Sequence, residues 1–419
     1  MLAQADLAVR CSEVRLQTER LCEGLSAEDC ALQSMPDASP LKWHLAHTTW
    51  FFETFILDRH AAGYRPFRPE FRYLYNSYYN AVGEQYPRAQ RGLISRPGLE
   101  EVRAFRAQVN DALQQLLAGE PLPAGALALI ELGLNHEQQH QELMLTDFKH
   151  LLSLNPLAPA YRAAQPATGA EAAPLAWTAF EGGVVEIGHD GSGFSFDNET
   201  PHHRQHLAPF ELASRPVTNG EYLAFVEDGG YRRAEFWLSE GWAMVGAQHW
   251  ESPIYWRKVD GAWREFTLRG LEPLAAARPV AHNSHFEADA YAHWAARLHG
   301  ATRLPTEFEW EVAAVGAPVA GVFVESGSLH PQPSPAGELA ALFGDVWEWT
   351  LSSYAPYPGF RPVAGAVGEY NGKFMSNQYV LRGGSCATPR SHMRASYRNF
   401  FPSHARWQFS GLRLARDPG

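Results

Sequence analysis

A break in character near residue 156 constrains this chain more than any other feature. Up to about residue 155, apolar residues recur at three- and four-residue spacing in four segments, roughly 5–24, 40–58, 98–118 and 124–152, which predicts four amphipathic helices. Beyond residue 181 the chain is dense in Gly, Trp and Tyr, with short strand-like runs such as GGVVEIG and YVLRGGS and helical stretches near 218–228 and 285–299. Between them, LAPAYRAAQPATGAEAAPLAW is rich in Ala and Pro and has little patterned hydrophobicity, as an interdomain linker would. The expected organisation is a four-helix bundle over 1–155, a linker over 156–180 and an α+β domain over 181–419. With 419 residues, the chain also exceeds what one hydrophobic core ordinarily organises.

The bundle has one long connection, about 59–97, and loops of that length without regular structure are uncommon unless they serve a function. It is expected to cover the mouth of a site. A net charge of −11 argues against nucleic acid or an anionic membrane as the main partner, since both reward a basic surface. A small molecule is the better expectation, and no oligomeric state follows from the sequence. The N-terminus shows no basic segment followed by an apolar core, and no apolar run approaches a membrane span, so the expected location is cytoplasmic. The four cysteines are too few and too unevenly placed for a disulfide framework and read as reduced thiols.

Within the fourth predicted helix, NHEQQHQE (135–142) puts His136 and His140 four residues apart, where two imidazoles project from one face and can chelate one ion. The second helix, PLKWHLAHTTWFFE (40–53), offers His44 and His47 in an otherwise apolar run, and a facing helix is a common source of a third ligand. Leu41, Leu45, Thr48 and Phe52 form a stripe that both histidines flank, so periodicity does not choose between them. Three neutral imidazoles suit Fe(II), Zn(II) or another first-row divalent ion. HEQQH also matches the zinc-protease signature, with Glu137 as general base, although here the third histidine would lie upstream.

WHLAHTTWFFE, NSYYNAVG, QRGLISRP and NHEQQHQEL together resemble the DinB-like bundle of the sulfoxide synthases of ergothioneine biosynthesis. PVTNGEYLAFVEDGGY (216–231), RLPTEFEWEVAA (303–314), GDVWEWT (344–350), VLRGGS (380–385) and RNFFPSHARWQFSGLRLARD (398–417) resemble the formylglycine-generating-enzyme domain with its C-type-lectin-like fold. The resemblance spans nearly the whole chain in matching order. It implies a multidomain α and α+β protein, and an enzyme that uses Fe(II) and O2 to join cysteine to hercynine, the trimethylated betaine of histidine. By the same resemblance His47, His136 and His140 hold the iron, and His44 has no ligand role. Three imidazoles leave room for the donor thiolate, the acceptor imidazole and O2 to meet on one metal.

Further roles follow from the resemblance alone. Tyr79, then Tyr78, is the expected proton donor; Arg88 and Arg91 would clamp the donor carboxylate; Gln139 would orient the acceptor imidazole and Asn399 hold its carboxylate. Phe401 stands where relatives that use γ-glutamylcysteine have the aspartate of RNWD. That loss of an ammonium partner favours free cysteine. Cys386 lacks the second cysteine that copper-dependent formylglycine generation needs. Ovothiol-type synthesis would call for a fused methyltransferase, and the chain ends after GLRLARDPG. A selenosugar-using relative fits NSYYNAVG and QRGLISRP less well. A metal-free lectin-like binding protein would not need the histidine triad.

Overall fold

The computed structural model describes residues 3–163, 171–363, 368 and 371–418, and residues 164–170 of the expected linker lie outside that set. The described chain forms two compact units.

The first is helical. α1 (Gln4–Arg20), α2 (Leu41–Phe52), α5 (Leu99–Ala118) and α6 (Ala124–Ser153) make the bundle, with short helices α3 (Asp58–His60) and α4 (Phe71–Leu74) in the long connection. Every residue of α2 is buried, which marks it as the central helix, packed against α5 and α6. α2 runs directly into a π-helical turn, Glu53–Leu57, that is also wholly buried. Gly133 lets α2 and α6 approach closely, because a Cβ there would lie 2.8 Å from ring atoms of Phe51 and Phe52. The long connection is not structureless. Besides α3, α4 and a 3-10 turn at Arg88–Leu93, it wraps around buried Asn76, whose amide donates to the carbonyls of Tyr79, Gly83 and Glu84 and accepts from Tyr79 N–H.

By contact, the helical unit also includes Gly191–Asp197 and Arg361–Lys373, which come from far along the chain. The Asn371 amide donates to Asp197 at 2.7 Å, and Phe194 meets Phe196 edge-on. Domain boundaries drawn at 155 and 181 therefore differ from the contact units, because packing rather than chain order assigns these two segments.

The second unit holds a four-stranded sheet in the order β1 (Trp177–Phe180), β4 (Phe210–Ala213), β13 (Ala415–Arg416), β8 (Thr302–Arg303). β1 begins inside the stretch expected as linker, where Trp177 pairs with Ala213. A hairpin joins β2 (Gly183–Ile187) to β3 (His203–Leu207), and β5 (Trp256–Val259), β6 (Ala262–Thr267) and β7 (Gly270–Pro273) form an antiparallel meander. A second four-stranded sheet runs β11 (Asn399–Pro402), β10 (Gln378–Arg382), β9 (Trp347–Ser353), β12 (Ser410–Gly411).

Helices α7 (Asn219–Glu227), α8 (Ser239–Gln248), α9 (His285–His299) and α10 (Glu307–Ala314) accompany these sheets. α7, α9 and α10 each start with a reciprocal capping box: Thr218/Glu221, Ser284/Glu287 and Thr306/Glu309. In all three boxes the glutamate is also gripped through both oxygens by an arginine, Arg215, Arg406 and Arg303 respectively. Deeper in the unit, Arg382 and Arg398 share Glu307, and Arg413 pairs with Glu348, all buried. No helix among the described residues is long and apolar enough to cross a membrane.

Candidate metal centre

His47 on α2 and His136 and His140 on α6 converge: one ring nitrogen from each lies within 4.8 Å of the others. Nε2 of His47 is 3.2 Å from Nε2 of His136, and the three ring centroids are 4.6–5.0 Å apart. All three are buried. Burial penalises the charged forms and the neighbouring imidazoles add to the effect, so His136 is pushed down to about 3 and His47 and His140 fall well below the usual histidine value. Each ring is therefore neutral near pH 7 and carries one lone pair, the form a metal requires.

The surroundings fix the ring of His47. Its Nδ1 is 2.6 Å from the carbonyl of Tyr75, which can only accept, so the proton sits on Nδ1 and the lone pair on Nε2 faces the cluster. Trp43 stacks on one side at 4.6 Å and Trp50 on the other at 5.6 Å, four residues before and three after on the same helix face. A donor set of convergent neutral imidazoles, held in place and desolvated, fits a first-row divalent cation.

Glu137 follows His136 in sequence but turns the other way. Its carboxylate accepts from Arg15 (2.8 Å), Arg106 (2.5 Å) and Thr18 (2.6 Å) in the bundle interior. Burial alone would raise its pKa, but Arg106 and Arg15 hold it down to about 2. A glutamate engaged in this way is no general base for a metal-bound water, which removes the zinc-protease reading.

Tyr79 is buried, with its ring 5.6 Å from Trp50 and 4.8 Å from Tyr78. It is thus one aromatic ring removed from His47. Tyr78 is half-buried and lies beneath the ammonium of Lys373, which also donates to the Tyr78 carbonyl. Arg91 is buried over the face of Trp43, 3.4 Å from the ring centre, and donates to Ser39 Oγ. Burial pushes its guanidinium down to about 9. Arg88 is exposed and donates to the carbonyl of Asp37. Gln139 lies half-buried on α6 between His136 and His140. Asn399 and Phe401 sit on β11 of the second unit, where Asn399 Oδ1 accepts from Phe400 N–H and Phe401 meets Trp407 edge-on.

The models of two families match the chain: the DinB superfamily over residues 11–144, and the sulfatase-modifying factor enzyme 1-like domain over 171–339 and 327–418. Along its whole length the chain is 33% identical to the hercynine oxygenase of Mycobacterium tuberculosis, with all of both proteins covered. The chain belongs to the hercynine oxygenase family. A second hercynine oxygenase, from Mycolicibacterium thermoresistibile, is also 33% identical, over 99% of this chain and 95% of the relative. Ergothioneine biosynthesis protein 1 of Schizosaccharomyces pombe is 27% identical over 54% of the chain and 28% of its own length. For a hercynine oxygenase, the site also holds His44, which the sequence offered as the alternative to His47 and whose Nδ1 lies 2.8 Å from Nδ1 of His140; Asp147, 3.1 Å from His44 Nε2, is a residue that sequence reasoning passed over. The spacing of seven between His140 and Asp147, two helical turns, was the available signal.

Proposed function

We propose that this chain is a sulfoxide synthase of ergothioneine biosynthesis, joining cysteine to hercynine with O2 and using Fe(II) held by His47, His136 and His140. The observation that carries the reading is the neutral three-imidazole cluster in a chain that matches hercynine oxygenases from end to end. Fe(II) would supply the redox chemistry with O2 that Zn(II) lacks. The reaction balances as one thiol S–H and one imidazole C–H lost, a C–S bond formed, one oxygen atom placed on sulfur and the other released as water.

The protein's part is binding, orientation and proton delivery. Gln139, between the two α6 ligands, orients the acceptor imidazole, and Asn399 takes its carboxylate. Arg88 and Arg91 hold the carboxylate of the donor, a task suited to a planar fork. Tyr79, with Tyr78 beside it, presents a phenolic O–H that can give up its proton as oxygen is reduced. Phe401 offers no acceptor for the ammonium of a longer donor, which favours cysteine over γ-glutamylcysteine.

The test is O2 consumption by the Fe(II)-loaded protein with hercynine and each thiol, with products identified by mass. The expected result is the cysteinyl sulfoxide and a higher kcat/KM for cysteine. Equal values, or a preference for the dipeptide, would overturn the donor assignment. Loss of nothing on His136→Ala would overturn the iron site.

A further inference from the structure

We propose that Asp147 and His44 are positioning residues that fix the tautomer of His140 and thereby set how tightly the three-imidazole site binds a metal. The inference rests on reading His47, His136 and His140 as ligands.

The direction of each hydrogen bond follows from what each group can do. A carboxylate only accepts, and Asp147 Oδ2 receives the backbone N–H of Ser39 at 2.8 Å and faces His44 Nε2 at 3.1 Å. The proton of His44 therefore sits on Nε2. A neutral imidazole has one N–H, which leaves His44 Nδ1 as an acceptor. The group facing that nitrogen at 2.8 Å is His140 Nδ1, so His140 is the donor and its own proton sits on Nδ1. The lone pair of His140 is then left on Nε2, the nitrogen not engaged with His44.

Geometry makes the relay a built feature. His140 and Asp147 lie on one face of α6, about 10.5 Å apart along the helix axis, and the His44 ring from α2 fills the gap between them. His44 and Asp147 are 2% and 5% exposed, so water does not substitute for either partner. The same logic acts on His47 through the Tyr75 carbonyl. Two of the three ligands are thus oriented from behind, one by a neutral carbonyl and one by a carboxylate acting through a second imidazole. The carboxylate increases the basicity of the ring it polarises, which strengthens a metal bond.

The experiment is a Co(II) titration of chelator-stripped full-length protein, followed by d–d absorption and by competition with a chelator of known affinity. Wild type should bind Co(II). His44→Phe keeps a ring in the gap but removes the acceptor, so affinity should fall about 10–100-fold and the d–d bands should shift. Asp147→Asn keeps volume and an oxygen acceptor but loses the charge, and should show a smaller loss in the same direction. Far-UV circular dichroism of the apo proteins separates this from unfolding. Wild-type affinity and unchanged bands in His44→Phe overturn the relay, and if that variant does not fold, the same outcome in Asp147→Asn does so. Failure of wild type to bind Co(II), or undiminished binding by His136→Ala, instead overturns the ligand assignment and the relay with it.

Discussion

At the scale of single residues, the HEQQH segment sorts two kinds of chemistry onto opposite sides of one helix. His136 and His140 face the three-imidazole cluster, whereas Glu137 faces Arg15 and Arg106. Glu137→Gln would leave two buried guanidiniums without their shared anion, which costs about 3–5 kcal/mol. The urea midpoint should fall accordingly; an unchanged midpoint would show that the two arginines are neutralised elsewhere. Tyr79→Phe removes only a hydroxyl from a ring already packed against Trp50 and Phe55. Metal binding should be retained and C–S bond formation slowed, with uncoupled oxidation of the thiol to a sulfinic acid as the competing product; chromatographic product ratios report it. An unchanged ratio there and in Tyr78→Phe would move the proton donor elsewhere. The convergence of His136 and His140 on α6 was legible from spacing alone, because i and i+4 share a face. The choice of His47 over His44 was not, since both flank the same apolar stripe, and it came from the resemblance. In the structure it turns on the approach of His47 Nε2 to His136 and the turning of His44 toward Asp147.

At the scale of elements, the site depends on how closely α2 and α6 approach. Gly133, one turn before His136, is where the two helices meet, and Phe51 carries that contact on to the His136 ring at 5.0 Å. In an open helix interior, Gly133→Ala would add about 1 kcal/mol of stability. Here the new methyl must displace two phenyl rings, and overpacking of that kind costs about 1–3 kcal/mol. The expected outcome is a net loss of thermal stability together with weaker Co(II) binding, because Phe51 moves against His136. A rise in melting temperature with unchanged affinity would mean the rings yield without cost. The bundle helices were readable from the sequence because each carries a periodic apolar face. The stretches expected near 218–228 and 285–299 were also placed from the sequence, and in the structure each helix there is opened by a capping box of Ser or Thr with Glu three residues on. The two-residue strands β8, β12 and β13 were not readable, since neither length nor alternation marks them and only their pairing partners make them strands.

At the scale of the whole molecule, the helical unit is completed by residues that no periodicity announces. Gly191–Asp197 and Arg361–Lys373 show no apolar periodicity, and nothing in their own sequence ties them to a bundle that ends near residue 154. Their value lies in what they touch. Lys373 reaches back across 295 positions of sequence to the carbonyl and ring of Tyr78, the residue beside the proposed proton donor. The loop that carries both tyrosines is organised from within by Asn76 and packed through Tyr79 against Trp50, Phe51 and Phe55, and Lys373 adds a tie from a distant part of the chain. A hydrogen bond and a cation–π contact at a half-exposed position are together worth about 1 kcal/mol, or roughly fivefold in the population of the ordered loop. Lys373→Ala should therefore lower kcat about fivefold and change Co(II) affinity much less, because α2 and α6 carry His47, His136 and His140 and the loop reaches them only through the Tyr75 carbonyl behind His47, three residues before the Lys373 contact. Lys373→Arg keeps the charge and a donor and should recover most of the rate. Steady-state kinetics beside the metal titration distinguish the cases: a parallel fall in metal affinity would mean that the segment acts on His47 through the Tyr75 carbonyl or on the bundle itself, and an unchanged kcat would mean that the other contacts of the loop suffice to hold the tyrosines in place.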